Sequence, residues 1–383
     1  MAAMTFLRPI FSLRILPLLS LGWLMVGSEQ AIAQITPDAT LGAESSRIRG
    51  VSDVRDLIEG GAIRGSNLFH SFEEFNIGEG REVYFANPAV ITNIFSRVTG
   101  NDVSNIWGTL GVDGNANLFL LNPNGIIFGP NSQLDIRGSF LASSADRFTF
   151  PDGNSFSAVN PETPPLLTMS ITPGLQYGVN SGEINNQGNL NVDRDFTLAG
   201  RSITNSGILA TKFGDLTLQG VAGSVTLSEG TIQAGRDTTI QAANKVEMVN
   251  GNISTNGELF IQGNEEIVFQ NSTIFSSRDM VFRSPVRMLA NGTTYTTGGF
   301  FFAESLDGSI IDFLIPHNRI ILAEGNIQLD ANVPGASLYI LAGGSVTTAP
   351  GVLGITINNV GNNSITQVIQ DGAVYNQKVK INS

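Results

Sequence analysis

The chain of 383 residues contains no cysteine. Disulfide bonds, thiolate nucleophiles and cysteine-ligated zinc are therefore excluded.

Charged residues are also scarce, at 14% of the sequence, against about 25% in an average soluble domain. The formal net charge is -12, and only four residues are lysine. No basic stripe offers a surface for a phosphate backbone, so the sequence predicts no nucleic-acid partner. With 43 glycines, the composition favours short strands joined by tight turns over amphipathic helices.

Long apolar runs are confined to the N-terminus. Arg8 and Arg14 accompany an apolar stretch over residues 15–26, and Ala31 and Ala33 give the small-x-small pattern of a cleavage site. The stretch is shorter than the ~20 residues of a transmembrane helix. We therefore interpret residues 1–33 as a cleavable signal peptide, with an uncleaved anchor as the alternative, and predict no transmembrane segment in the mature chain.

A tight turn is predicted where Asn122, Pro123, Asn124 and Gly125 separate two short apolar runs. Asn at the first position, Pro at the second and Gly at the fourth are the residues that a type I β-turn favours. The local prediction is strand, turn, strand.

Four ordered motifs carry a resemblance to a known family: SNLFHSFEEFN at 66–76, Asn87 with Pro88, SRVTG at 96–100, and NPNGI at 122–126. Together they resemble the N-terminal secretion domain of filamentous-haemagglutinin-type exoproteins, in particular the cyanobacterial branch. The resemblance covers about residues 35–175. Asn87 and Pro88 meet the family's second signature only loosely.

The resemblance implies a right-handed parallel β-helix with accessory hairpins. It also implies recognition of the unfolded segment by the periplasmic domains of a dedicated outer-membrane transporter. The finished protein would be secreted or held at the cell surface of a Gram-negative cell, where it would adhere to surface glycans or proteins. Two roles stay open for residues 122–125, namely a turn that initiates folding and a direct contact with the transporter.

A countable repeat follows a proline-rich stretch over residues 151–174, which we predict to be a loop or excursion. Apolar residues recur at spacings of 19, 23, 21 and 21, at Leu190, Leu209, Ile232, Ile253 and Ile274. A second apolar series follows in step, at Leu198, Leu218, Ile240, Ile261 and Phe282. A period of ~21 residues fits one coil of a parallel β-helix with three short strands.

The predicted fold is therefore all-β, a right-handed parallel β-helix with accessory hairpins and a capped N-terminus. We divide the chain into a signal peptide (1–33), a two-partner secretion domain (34–175), β-helix repeats (176–350) and a C-terminal cap or tail (351–383). Caps are expected because a stack of coils exposes strand edges at both ends.

Acidic residues recur once per coil at Asp195, Asp215, Asp237, Glu258 and Asp279. Stacked coils would place these like charges about 5 Å apart, which is unfavourable unless they are solvated or bind cations. They are weak candidates for a calcium ladder, but the calcium-binding β-roll motif is absent. Asx-turns are the favoured interpretation, and no metal or cofactor is predicted.

The alternative function is a β-helical polysaccharide lyase or hydrolase, which needs convergent carboxylates and a basic residue. The available sets are Asp193 and Asp195 with Arg194 or Arg236, and Glu265 and Glu266 with Lys245. Solvated surface charge is the favoured interpretation of both. His70 and His317 lie far apart and indicate neither a metal site nor a triad. We therefore predict a non-enzymatic, adhesin-like exoprotein.

Overall fold

The computed structural model describes residues 34–164, 173–309, 311–314, 319–334, 338–347, 355–358, 368–370, 373–375 and 381–382. The predicted signal peptide and His317 lie outside these residues. Within them the only helical element is a 3₁₀ turn at Gly42–Glu44, and no helix is long and apolar enough to span a membrane. The all-β prediction is confirmed.

In chain order the strands are β1 (Ile35–Pro37), β2 (Ser46–Gly50), β3 (Arg55–Gly60), β4 (Ala62–Arg64), β5 (Asn67–Phe75), β6 (Glu82–Ala86), β7 (Asn93–Val98), β8 (Ser104–Ile106), β9 (Thr109–Asp113), β10 (Asn117–Leu121), β11 (Ile126–Phe128), β12 (Gln133–Asp135), β13 (Phe140–Ser143), β14 (Arg147–Thr149), β15 (Ser155–Ser157), β16 (Gly174–Gln176), β17 (Ile184–Asn186), β18 (Asn189–Val192), β19 (Phe196–Gly200), β20 (Ile203–Asn205), β21 (Ile208–Thr211), β22 (Leu216–Gly220), β23 (Val225–Ser228), β24 (Thr231–Ala234), β25 (Thr238–Ala242), β26 (Lys245–Val249), β27 (Asn252–Thr255), β28 (Leu259–Gly263), β29 (Glu266–Gln270), β30 (Thr273–Ser276), β31 (Met280–Arg283), β32 (Arg287–Asn291), β33 (Thr294–Thr297), β34 (Phe301–Glu304), β35 (Asp312–Leu314), β36 (Arg319–Ala323), β37 (Ile327–Gln328), β38 (Asp330–Pro334), β39 (Leu338–Ala342), β40 (Val346–Thr347), β41 (Ile355–Asn358), β42 (Val368–Gln370), β43 (Ala373–Tyr375) and β44 (Ile381–Asn382).

Three long sheets form the faces of a parallel β-solenoid of about 11 turns. Face A contains β5, β7, β10, β13 and then every third strand from β19 to β40, face B includes β9, β12 and β18, and face C begins with β8, β11 and β17. Each complete coil passes through face C, face B and face A in turn. Consecutive strands of one face pair in parallel, as the sequence predicts.

The predicted repeat is confirmed residue by residue in the strand register. Leu190 aligns with Leu209, and the alignment continues through the rest of the first series on face B. Leu198 aligns with Leu218, and the second series continues in the same way on face A. Both series are buried and belong to one apolar core that runs along the solenoid. Because one coil exposes its apolar side chains, stability depends on stacking.

Two local features complete the description of the coils. The chain turns a corner at Trp107 and Gly108 between β8 and β9. Strands β32, β33 and β34 form a regular coil in register with the one before, and the repeat becomes irregular after Glu304.

The N-terminal cap breaks the parallel pattern. Strands β1 and β4 both pair antiparallel with β5, and β2 pairs antiparallel with β3. Ile35 and Ile48 of this cap pack against the end of the apolar core. At the other end, β41 and β44 continue face C and β42 and β43 form an antiparallel hairpin. Most of the predicted C-terminal cap lies outside the described residues.

An accessory hairpin sheet leaves the solenoid after β13 and returns before β17. It contains β14, β15 and β16, which pair antiparallel. The sheet covers the outer side of face A, where Phe69, Phe95 and Phe119 stack with centroids 5.2 and 4.7 Å apart. Phe148 and Phe156 of the hairpin complete this second apolar core. Residues 165–172 of the excursion lie outside the described part.

Candidate functional site

The turn at residues 122–125 connects face A to face C in its coil. The Gly125 amide donates to the Asn122 carbonyl at 3.0 Å, which closes a four-residue β-turn. The Asn124 amide donates to Asn122 Oδ1 at 2.9 Å. Asn124 does not have a positive φ, whereas Gly125 has φ of 111°. This backbone is compatible with a type I turn.

The side chains of the turn hold the preceding coil. Asn122 is fully buried, and its Nδ2 donates to the Asp102 carbonyl at 3.0 Å and to Ser104 Oγ at 2.9 Å. Asn124 Nδ2 donates to the Gly100 carbonyl at 2.8 Å. Asn124 therefore binds the last residue of the SRVTG motif, and Asn122 binds the segment that directly follows it.

The backbone of the turn holds the following coil at both ends of the hairpin excursion. The Asn122 amide donates to the Ser143 carbonyl at 2.9 Å, and the Gly182 amide donates to the Pro123 carbonyl at 2.7 Å. Ser144 Oγ in turn donates to the Gly182 carbonyl at 2.7 Å. The points where the chain leaves the solenoid, at Ser143, and returns to it, at Gly182, therefore both contact this turn.

Asn87, at the corner between face B and face A, also connects its coil to the next one. Its Oδ1 accepts the amides of Asn115 and Ala116 at 3.0 and 3.1 Å, and its Nδ2 donates to the Ile91 carbonyl at 3.0 Å. Pro88 is exposed beside it. Each Asn-Pro pair therefore uses its asparagine to join successive coils.

Arg97, within the SRVTG motif, is fully buried between face A and the hairpin sheet. Its Nε donates to Ser71 Oγ at 2.9 Å, and its Nη1 donates to the Ser157 carbonyl at 2.7 Å. Its Nη2 donates to Thr40 Oγ1 and to the Glu162 carbonyl, both at 2.9 Å. The guanidinium also lies 4.1 Å from the centre of the Phe156 ring. One side chain therefore joins the cap, face A and the hairpin.

Asp38 is the acidic member of the same network. Its carboxylate accepts hydrogen bonds from the hydroxyls of Thr40, Ser71 and Thr99 at 2.6 to 2.7 Å. Burial opposes its ionisation, but these hydrogen bonds outweigh burial and lower its pKa. Burial lowers the pKa of Arg97 to about 10, and Asp38 counteracts that effect. Both groups are therefore charged at neutral pH.

The sequence signalled this network through two of its motifs, SNLFHSFEEFN, which contains Ser71, and SRVTG, which contains Arg97 and Thr99. The partners of Arg97 lie up to 65 residues away along the chain. Asp38 stands in no motif, so sequence reasoning missed it.

The model of the TPS secretion domain, the domain of two-partner secretion, matches residues 33–299. The chain belongs to this family. A TPS secretion domain implies export through an outer-membrane transporter of a Gram-negative bacterium. The match extends past residue 175, and the strands on either side of the excursion, β13 and β19, pair directly. The boundary at 175 stays a prediction.

A solved structure supports the fold of this TPS protein. The HMW1 secretion domain from Haemophilus influenzae has 15% identity and a TM-score of 0.56, with 88% of this chain and 99% of that chain covered. The filamentous hemagglutinin secretion domain has 13% identity and a TM-score of only 0.40, with 87% and 99% covered. At these identities only the first likeness carries weight, and it supports the fold alone.

Two curated relatives are similar over a short stretch. A heme/hemopexin-binding protein of Haemophilus influenzae strain Rd is 33% identical over 72 residues, which is 19% of this chain and 8% of that protein. A second heme/hemopexin-binding protein of the same species is 33% identical over 75 residues, which is 20% and 8%. The alignments thus span about a twelfth of the length of these relatives.

The predicted acidic ladder of the TPS protein is stacked at the corner between faces B and A. Asp195 Oδ1 accepts the amide of Asp215 at 3.1 Å, and Asp215 Oδ1 accepts the amide of Asp237 at 3.2 Å. These carboxylates thus bind the backbone of the next coil, in place of the local Asx-turns that we favoured. Within the described residues, no group of three or more acidic, histidine or cysteine side chains could hold a metal ion.

Of the residues considered for an enzyme, Arg236, Lys245 and Glu266 form ion pairs, and one open cavity is lined by Asp193, Arg194, Asp195 and Arg236. Arg236 Nε lies 3.4 Å from Asp215 Oδ1, and Lys245 Nζ lies 2.9 Å from Glu247 Oε2. Glu266 pairs with Arg287 on the next strand of face C. These pairs link stacked or neighbouring positions of the solenoid, as surface ion pairs do.

His70 lies fully buried in the N-terminal coil, with Nδ1 3.0 Å from Ser46 Oγ. Its ring is 5.2 Å from that of Phe85. Burial lowers its pKa to about 3, so the ring is neutral at physiological pH. His70 therefore packs as a neutral side chain in the N-terminal coil.

Proposed function

We propose that this TPS protein is a secreted or cell-surface, adhesin-like exoprotein whose unfolded N-terminal segment is recognised by the periplasmic domains of its transporter. The observation that carries the proposal is the burial of two motif side chains in the folded protein. Asn122 and Arg97 have no exposed surface, whereas the half-buried Asn124 bonds to Gly100 of the preceding coil. A partner that recognises the side chain of Asn122 or Arg97 must bind before the coils stack.

Folding outside the cell is the second half of the proposed mechanism. The turn at 122–125 joins the coil before it to the coil after it, through bonds to Gly100 and Gly182. A chain that emerges N-terminus first would complete these bonds in sequence order. Of the two roles left open for the turn, this arrangement favours folding over direct contact with the transporter.

The experiment compares Asn124→Ala with Asn252→Ala, whose side chain is exposed on face B. Each variant is co-expressed with the transporter, and secreted protein is quantified. The affinity of the unfolded chain for the isolated periplasmic domains is measured in parallel. We expect N124A to lower secretion while its affinity equals that of N252A, because the turn acts in folding.

Loss of affinity in N124A alone would instead assign the turn to transporter contact. Wild-type secretion that does not depend on the transporter would overturn the proposed function as a whole.

The adhesin role and its target, a surface glycan or protein, are part of the proposal, as is an origin in the cyanobacterial branch. We also propose that the chain is not an enzyme. Purified mature protein should show no turnover of acidic polysaccharides with or without calcium, whereas turnover would favour a β-helical lyase or hydrolase.

A further inference from the structure

One column of residues follows the corner where face B meets face A, from the coil of β10 onward. Its members occupy equivalent positions in successive coils, as the face A register establishes. This corner column consists of Asn117, Ser139, Asp195, Asp215, Asp237, Glu258, Asp279, Phe300, Asn326 and Ser345. In the two coils before it, the equivalent positions hold Asn67 and Asn93, which bond through their side chains: Asn93 Nδ2 donates to Asn67 Oδ1 at 3.0 Å, and Asn117 Nδ2 donates to Asn93 Oδ1 at 2.9 Å.

Every Asp and Asn of the corner column makes the same hydrogen bond. The Oδ1 atom accepts the backbone amide of the column residue in the next coil. The six distances lie between 2.8 and 3.2 Å, for the pairs Asn117–Ser139, Asp195–Asp215, Asp215–Asp237, Asp237–Glu258, Asp279–Phe300 and Asn326–Ser345. Both asparagines do what the aspartates do, so the bond depends on the acceptor oxygen and not on the charge.

A second bond closes each of these contacts into a clamp. While Asp195 Oδ1 accepts the Asp215 amide, the amide of Phe196 donates to the Asp215 carbonyl at 2.8 Å. The pair Asp237 and Thr238 holds Glu258 in the same manner, at 2.8 and 2.9 Å. Both polar groups of the incoming residue are therefore fixed by the coil before it.

The clamp has a direction. In all six cases the side-chain acceptor belongs to the earlier coil and the amide donor to the later one. An exposed N-terminal coil therefore offers its acceptor before the next coil arrives. Register matters at this point, because a slip of one residue would turn every inward side chain of a strand outward.

Two members of the column provide a contrast inside the same molecule. Glu258 is one methylene longer than aspartate, and Phe300 has no polar side-chain atom. Among the described residues, neither side chain accepts the amide of the column residue in the following coil. Those two coils keep only the backbone half of the clamp, from Leu259 to Asp279 and from Phe301 to Asn326.

We propose that the Asp and Asn residues of the corner column are positioning residues that set the register of each incoming coil as the chain folds from N- to C-terminus during export. The inference rests on the proposed function, since it assigns a device to the folding step of secretion. The group that each Asp or Asn side chain binds is a backbone amide of the protein itself, so no ion is required.

The test uses the full mature chain with Asp237→Ala, Asp237→Asn and Glu258→Asp. Asp193→Ala serves as the matched control, because Asp193 lies at the same corner but outside the column. Refolding from urea is followed by stopped-flow fluorescence, and secretion is quantified with and without the transporter. Loss of one such bond should slow refolding of D237A about five-fold relative to D193A.

We expect D237N to refold and to be secreted like wild type, because Oδ1 is retained. E258D should refold faster than wild type, because it supplies the missing acceptor for the Asp279 amide. Three results would each overturn the proposed role of the corner column. They are equal refolding rates of D237A and D193A, equally slow refolding of D237N and D237A, or no increase in the refolding rate of E258D. Wild-type release without the transporter would defeat only the proposed function, since the refolding rates test the column independently.

Discussion

Asn124 Nδ2 donates to the carbonyl of Gly100 at 2.8 Å. This bond joins two sequence motifs, the NPNG turn and the end of SRVTG, that lie in successive coils. The motifs that mark the family in sequence are therefore neighbours in the folded solenoid, where each supports the position of the other.

Asn124→Asp should destabilise the protein, because the variant replaces the donor by an oxygen that faces the Gly100 carbonyl. We expect the free energy of unfolding to fall by about 1 kcal/mol, the usual contribution of one hydrogen bond, since both partners are half-buried. Urea denaturation followed by circular dichroism measures the change. Asn252→Asp, on the exposed side of face B, should lie within about 0.5 kcal/mol of wild type; equal losses in both variants would contradict the role of this bond.

Arg97→Lys should loosen the hairpin sheet from the solenoid. Lysine retains the charge but lacks the planar fork that reaches Ser71, Ser157 and Glu162 together. We expect faster cleavage by a protease in the hairpin excursion, measured by limited proteolysis and mass spectrometry. Arg49→Lys is the control, since its pair with Glu59 is exposed; unchanged cleavage in R97K would show that the guanidinium does not fasten the hairpin.

Acid should destabilise the N-terminal coil through His70. Its pKa is about 3 in the folded protein, against about 6.5 when unfolded. Between these values only the unfolded state binds the proton, so stability is complete above about pH 6.5 and falls as pH drops, by up to about 1.4 kcal/mol per pH unit.

The measurement is the free energy of unfolding of wild type and His70→Asn between about pH 6.5 and 5, above the ordinary pKa values of Asp and Glu of about 3.9 and 4.3. The variant should show the flatter profile, since asparagine does not titrate. Parallel profiles would mean that His70 is not the titrating group.

Gly182→Ala should disrupt the contact between the turn and the returning chain. A Cβ atom at this position would lie 2.1 Å from the Asn124 carbonyl oxygen, a backbone atom that cannot move aside locally. We expect a lower melting temperature, with a loss of about 1–3 kcal/mol. Gly50→Ala meets no heavy atom closer than 3.8 Å, so its melting temperature should change little by comparison.

Calcium should leave the melting curve unchanged. The Oδ1 atoms of Asp195, Asp215 and Asp237 are already hydrogen-bonded to backbone amides of the next coil. Differential scanning calorimetry of calcium-free and calcium-loaded protein tests this expectation. A higher melting temperature with calcium would instead support a calcium ladder along these acids.

The periodic part of the fold was accessible from the sequence. Leu190, Leu209 and Ile232 recur at intervals that one coil requires, and the strand register aligns them as counted. Burial of apolar side chains acts locally in a solenoid, because each coil contacts mainly its neighbours. A pattern in the chain therefore translates directly into a ladder in space.

The polar connections were not accessible in the same way. The spacing of Asp195 and Asp215 was visible, but their partners are backbone amides whose positions exist only after the coils stack. Arg97 bonds to the Ser157 carbonyl, 60 residues further on, across an excursion whose path the sequence does not specify. Sequence reasoning therefore expected the acids to accept nearby amides in Asx-turns, whereas in the structure their oxygen atoms accept amides of the next coil.

The sequence by itself determined the all-β class, the coil length and the tight turn at residues 122–125, because strand alternation and turn chemistry depend on neighbouring residues. Only the tertiary structure decided what that turn contacts. Asn122 and Asn124 bond to the preceding coil, and Pro123 bonds to Gly182. Hydrogen bonds form between groups that are close in space. Stacking of the coils creates that proximity, and the distance along the sequence does not reveal it.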